Sequence, residues 1–177
     1  LTLVSGNGTT TVSGDAAGLG AVTLQSDVAG ATGTISFEGG FTATSITTYG
    51  RGYDISFTGA ATQVLGSALT AFANTGTLTL GNEYADTLTF TNGISHTIAA
   101  HDRETHLGGQ LSTTNTEVTF DNLTLDTNAE ITSGTANVSI MGITTGNANT
   151  LTITGDADFT GTIDDITALN ITGPAEF

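Results

Sequence analysis

The chain has 177 residues, and its two basic residues, Arg51 and Arg103, stand against seventeen Asp and Glu, for a formal net charge of −15. Such a chain repels nucleic acid, whose binding depends on cations that neutralise phosphates, and anionic lipid surfaces repel it in turn. Cysteine is absent, which excludes disulfides, thiolate catalysis and thiolate metal sites and leaves stability to packing and backbone pairing.

Hydrophobic residues at 37% and aromatics at 6% are sparse, Gly occurs 24 times, and the one Pro is Pro174. Thr, Val, Ile and Phe favour strands, where branched and flat side chains pack well on a pleated surface. No stretch places apolar residues at helical spacing over three turns, so the class is all-β. No apolar run approaches the ~18 residues that span a bilayer, so membrane insertion is not expected. The sequence opens with Leu1, without an initiator Met or a signal peptide, and reads as a mature product or a piece of a longer polypeptide.

In chain order, the recurring unit is an apolar–hydroxyl–apolar triplet: Val22-Thr23-Leu24, Ile35-Ser36-Phe37, Ile55-Ser56-Phe57, Leu78-Thr79-Leu80 and Leu88-Thr89-Phe90. It returns at Val118-Thr119-Phe120, Leu123-Thr124-Leu125, Val138-Ser139-Ile140 and Leu151-Thr152-Ile153, with Leu169-Asn170-Ile171 as a variant. Period-two alternation puts the outer pair on one face and the hydroxyl on the other. Gly, Asn or Asp usually follows, and these tolerate the positive φ of tight corners. The step from Phe37 to Phe57, repeated approximately down the chain, predicts a parallel β-solenoid with coils of about 20 residues. About nine coils at ~4.8 Å each make a rod of about 43 Å. Phe37, Phe57, Leu80, Phe120, Ile140 and Phe159 are expected to form one core column. Residues 1–177 are read as a single solenoid segment, and a β-sandwich is the second expectation.

Segments such as Gly40-Phe41-Thr42-Ala43-Thr44, Tyr53-Asp54-Ile55-Ser56-Phe57-Thr58-Gly59-Ala60 and Asn74-Thr75-Gly76-Thr77-Leu78-Thr79-Leu80-Gly81 resemble the repeats of large bacterial surface proteins. These are the filamentous-haemagglutinin-like and autotransporter-like β-strand repeat proteins. The resemblance implies export, an extracellular or cell-surface location, and roles in adhesion, sheaths or fibres. It implies no catalytic residue.

Three clusters invite chemistry. Asp156 and Asp158, with Gly161 six positions into the loop, match the start of an EF-hand-type calcium loop, but Thr167 stands where its bidentate Glu belongs. Asp164 and Asp165 add oxygen ligands, so calcium is the candidate cofactor, weighed against a solvated acidic corner. His96, His101 and His106 lie near Asp102 and Glu104, the materials of a zinc site; the plainer reading is a polar loop protruding from the coil. Arg51 and Arg103 are expected at interfaces between acidic subunits. Thr-x-Thr segments such as Thr77-Leu78-Thr79 and Thr150-Leu151-Thr152 have the local form of an ice-binding array, but unequal coils are expected to break its register. Four N-glycosylation sequons, at Asn7, Asn122, Asn137 and Asn170, discriminate nothing in a chain this rich in Asn and Thr.

No nucleophile elbow, phosphate loop or dinucleotide fingerprint is present, and an enzyme is not expected. The expected role is a secreted structural subunit of a filament, sheath or adhesive fibre. Its partners are copies of itself, and a host surface or polysaccharide as a target. A solenoid without polar caps exposes a sheet edge at each end, and such edges template further pairing. Leu1 and Leu3 at one end, and Leu169, Ile171 and Phe177 at the other, are the expected joint. The alternatives are a pilin-like sandwich subunit and a carbohydrate-binding or carbohydrate-cleaving β-helix.

Overall fold

A triplet that is apolar on one side only must turn that side towards a core, and the Gly, Asn or Asp after it bends the chain before the next triplet. Repeating the two operations winds the chain into coils. The computed structural model describes residues 1–25 and 29–177. Among them are nineteen strands and no helix, and the strands form one sheet in which the paired strands run parallel. The fold is a parallel β-solenoid of about 8 turns of roughly 21 residues, one turn fewer than the spacing suggested. Parallel pairing removes the sandwich, whose sheets are antiparallel, and with it the pilin-like alternative.

The coil has three faces. Face one stacks Thr9–Val12, Thr34–Phe37, Asp54–Phe57, Leu78–Leu80, Glu104–Leu107 and Asn122–Leu125, then the starts of Thr144–Phe159 and Ile163–Ile171. Face two runs from the start of Ala16–Leu24 through Ala61–Val64, Thr87–Phe90 and Gln110–Ser112 to the end of Ile163–Ile171. Face three begins with Thr2–Leu3, includes Ile94–His96 and Val118–Phe120, and ends with Ala175–Glu176.

The coils are unequal: Leu78 is followed in its column by Thr105, but Thr105 already by Leu123. The extra residues sit at the corners, and the faces keep their register. On face one the outward side chains Ser36, Ser56, Thr79, His106, Thr124 and Thr145 follow one another coil by coil. Unequal coil length therefore does not break the register, contrary to the expectation from spacing, although His106 interrupts the run of hydroxyls on this face.

The expected single core column is in fact two. Phe37, Phe57 and Leu80 continue into Leu107 and Leu125 on face one. Phe120, Ile140 and Phe159 form a column on face three, with His96 below Phe120. Corner insertions shift the chain from one face to the other, so an even step in sequence does not track one column. Phe37 and Phe57 stack at 5.1 Å and 6°, while Phe41 meets both edge-on at 4.7 and 5.0 Å. Each such buried side chain stabilises the column by roughly 1.5–3 kcal/mol.

Corners interrupt the backbone pairing, and side chains fill the gaps. Asp15 Oδ1 accepts from Gly40 N at 2.8 Å, Asp54 Oδ1 from Thr77 N at 2.8 Å, and Asn122 Oδ1 from Ile143 N at 2.8 Å. One corner stacks Gly14, Gly39 and Gly59 so closely that a Cβ on Gly59 would collide with the carbonyl of Gly39. Gly59→Ala is therefore expected to lower the unfolding free energy by about 1–3 kcal/mol through overpacking. Gly20→Ala, with nothing within 4 Å of its new Cβ, should stay within about 0.5 kcal/mol of the parent. Urea denaturation of the two variants makes the comparison.

Candidate functional site

The two ends differ from everything between them. Core residues in the middle coils, such as Leu80, Phe90, Leu107 and Val138, are fully buried. In the first coil Leu3, Val12, Ala16 and Leu19 are only partly covered, and in the last coil so are Ile163, Ile166, Leu169 and Ile171. Leu1 is 52% exposed and Phe177 79%. Among the described residues Thr2–Leu3 and Thr9–Val12 pair on one side only, as do Ile163–Ile171 and Ala175–Glu176. The five terminal residues singled out in the sequence thus fall at the two open ends. Phe177 lies flat on Phe159, 5.8 Å away and 5° from parallel, and extends the face-three column beyond the last full turn.

The four aspartates do not come together. Residues 156–159 belong to the strand Thr144–Phe159, so Asp156 and Asp158 both point out from face three while Ala157 points in. Asp164 pairs on face one, and Asp165 occupies a left-handed turn with φ 51°. An extended strand cannot wrap its alternate carboxylates around one cation. Among the described residues no group of three or more His, Cys, Asp or Glu is arranged to hold a metal. The same observation disposes of a zinc site at the histidines.

The histidine segment is not simply a protruding loop. His101 and Asp102 are exposed, but His96, Thr105 and Arg103 are buried. Arg103 turns inward: Nη1 donates to Phe72 O at 2.8 Å and Nη2 to Ala73 O at 2.9 Å. At 8% exposure it offers no surface charge to a neighbouring subunit, which corrects its expected interface role. Burial pushes its pKa down, and Asp121 and Asp102 oppose this. The fully buried Asp121 accepts from Ile98 N at 2.8 Å and from Arg103 N at 3.4 Å, and pairs with His101 Nδ1 at 3.0 Å. Arg51 is half-buried at the corner before Asp54–Phe57, and its Nη1 donates to Gly50 O at 3.2 Å.

His96 completes a polar chain that climbs this corner. Tyr53 OH donates to Leu24 O at 3.0 Å, and Asn74 Nδ2 donates to Tyr53 O at 3.2 Å. His96 Nε2 lies 3.2 Å from Asn74 O, and Nδ1 lies 3.0 Å from Thr105 Oγ1. A carbonyl only accepts, so the neutral ring donates from Nε2 and accepts the Thr105 hydroxyl at Nδ1. Burial first, and Arg103 less strongly, lower the His96 pKa to about 4, against opposition from the Asn74 hydrogen bond and Asp121. The chain braces the corner internally. Sequence reading missed Tyr53 and Asn74, although their step matches the coil length; Ile94-Ser95-His96 likewise repeats the pattern of Val118-Thr119-Phe120.

Comparison with protein-family models, with characterised proteins and with solved structures finds no match for the chain. What the geometry defines is a class: a parallel β-solenoid.

His96 gives this class member a specific pH response. Its folded pKa lies below the ordinary 6.5, so between about pH 6.5 and 4 the unfolded chain binds a proton that the folded chain refuses. Stability from this group is full above the unfolded value and is lost as pH falls, by about 3 kcal/mol at pH 4. Denaturant unfolding from pH 7 to 4 should show that component in the parent and not in His96→Leu; equal pH slopes would count against it.

Proposed function

We propose that this chain is a structural segment of an extracellular or cell-surface filament, sheath or adhesive fibre that grows by end-to-end stacking of coils. One observation carries the reading: apolar columns sealed through the middle of the molecule reach both ends incompletely covered, beside unpaired strand edges. A second copy set on the last coil continues all three faces in parallel. Ile163 then meets Thr10 and Val12, Leu169 and Ile171 meet Ala16 and Leu19, and Phe177 meets Leu1 and Leu3. The driving terms are strand addition at an open edge and removal of apolar surface from water. The joint has the same chemistry whether the next coil belongs to the same polypeptide or to another copy. The resemblance to filamentous-haemagglutinin-like repeats points to the same role and to the same location outside the cell.

Charge sets the polarity of the joint. The last turns carry Asp156, Asp158, Asp164, Asp165 and Glu176. Their mutual repulsion disfavours tail-to-tail contact, and added salt screens it within about 10 Å at 0.1 M. The 177-residue chain, followed by sedimentation velocity and negative-stain microscopy as concentration rises, is expected to form thin rods in multiples of one unit length. Leu169→Asp with Ile171→Asp should hold it at one unit with the same far-UV spectrum. A parent chain that stays monomeric at every concentration and salt would remove the proposal.

A further inference from the structure

Face two carries a second surface, on its outward side between the coil of Thr87 and the coil of Thr152. Its outward side chains follow one another coil by coil as Thr87, Gln110, Glu130 and Thr152, beside a column of hydroxyls from Thr89 to Thr154. Two depressions lie along these columns, of about 200 and 330 Å³. Gln110 and Glu130 line the first, Tyr84 and Thr152 the second, and Glu130 pairs in register with Thr152, so the two adjoin.

Tyr84 comes from a corner insertion between Leu80 and Thr87 that reaches along the axis to the coils of Asn128 and Thr150. The loop is braced. Asp86 Oδ2 accepts from Asn82 N at 2.9 Å and from Glu83 N at 3.1 Å, and Gln110 Nε2 donates to Tyr84 O at 3.2 Å. Tyr84 is nonetheless 50% exposed, so a braced backbone holds a partly solvent-exposed aromatic residue at the wall of the groove. Several groove atoms engage nothing among the described residues: Gln110 Oε1, Asn128 Nδ2, and the hydroxyls of Tyr84, Thr150 and Thr152.

We propose that the groove from Tyr84 to Thr152 binds a neutral, extended polysaccharide. Amides and hydroxyls supply donors and acceptors at the spacing of successive coils, ~4.8 Å, close to the advance of one sugar in an extended β-linked chain. The tyrosine ring covers the C–H face of a pyranose while its hydroxyl stays wet. Glu130 is the one charged residue lining either depression. With the chain's charge of −15 it disfavours anionic glycans, and a lone carboxylate provides no acid–base pair for glycoside hydrolysis. The site therefore holds its ligand without cleaving it.

Affinity electrophoresis of the 177-residue chain tests this, in gels containing hydroxyethylcellulose, xyloglucan or polygalacturonate. Retardation is expected in at least one neutral gel and not in polygalacturonate. Tyr84→Ala should weaken it about tenfold, the loss of one ring contact, and Tyr84→Phe should keep most of it. Both substitutions lie far from the ends, so the far-UV spectrum and end-to-end assembly should not change. No retardation in either neutral gel overturns the proposal, as does retardation confined to polygalacturonate or unaltered by Tyr84→Ala. None of these results bears on filament growth.

Discussion

Everything in this molecule depends on one requirement: each inward position must be filled, coil upon coil, by a side chain of matching depth. Parallel coils stack about 4.8 Å apart, too close for a vacancy to pass unnoticed and too close for a bulky intruder. Phe37 under Phe57, and Leu80 under Leu107, satisfy the requirement with apolar groups. His96 satisfies it differently, as a flat ring of similar depth between the coils of Phe72 and Phe120, with both nitrogens engaged. The same closeness explains the corner glycines, where one carbonyl occupies the space that a Cβ on the next coil would need.

Because each coil touches only its neighbours, stability is a sum of local terms. The corner between faces three and one adds to that sum with polar groups. From Leu24 through Tyr53 and Asn74 to His96 the steps join one coil to the next, and the last, to Thr105, ties the two sides of one corner. Arg103 and Asp121 then tie the segment between Ile98 and Arg103 to the coils on either side. Buried groups of this kind are costly unless satisfied. Here their partners are mostly main-chain atoms, which the stacking itself holds in place.

The coil was legible in the sequence because its cause is local. Ile55-Ser56-Phe57 and Val138-Ser139-Ile140 announce which side is buried without help from distant residues, and the following glycines announce the turn. The number of residues per coil was legible only as an average, since corner insertions such as 81–86 and 97–103 carry no hydrophobic period. That is why Phe57 and Phe120, about three steps apart, were read into one column and belong to two. Polar residues were misread for a related reason. Arg103 looks like surface from its chemistry, and only the fold shows Phe72 O and Ala73 O waiting for it. Asp156 and Asp158 look like a calcium loop from spacing, and only the strand shows that both point away from Asp164.

Variation confined to corners makes the shaft a ruler. Flat faces advance by a fixed increment per turn, so a loop inserted at any corner stands at a height determined by its coil number alone. Tyr84 and His101 are graduations on that scale, borne by two different edges of one turn, the first between Leu78–Leu80 and Thr87–Phe90 and the second between Ile94–His96 and Glu104–Leu107. Such a body can change what it displays, one graduation at a time, while the distances between displayed groups stay constant.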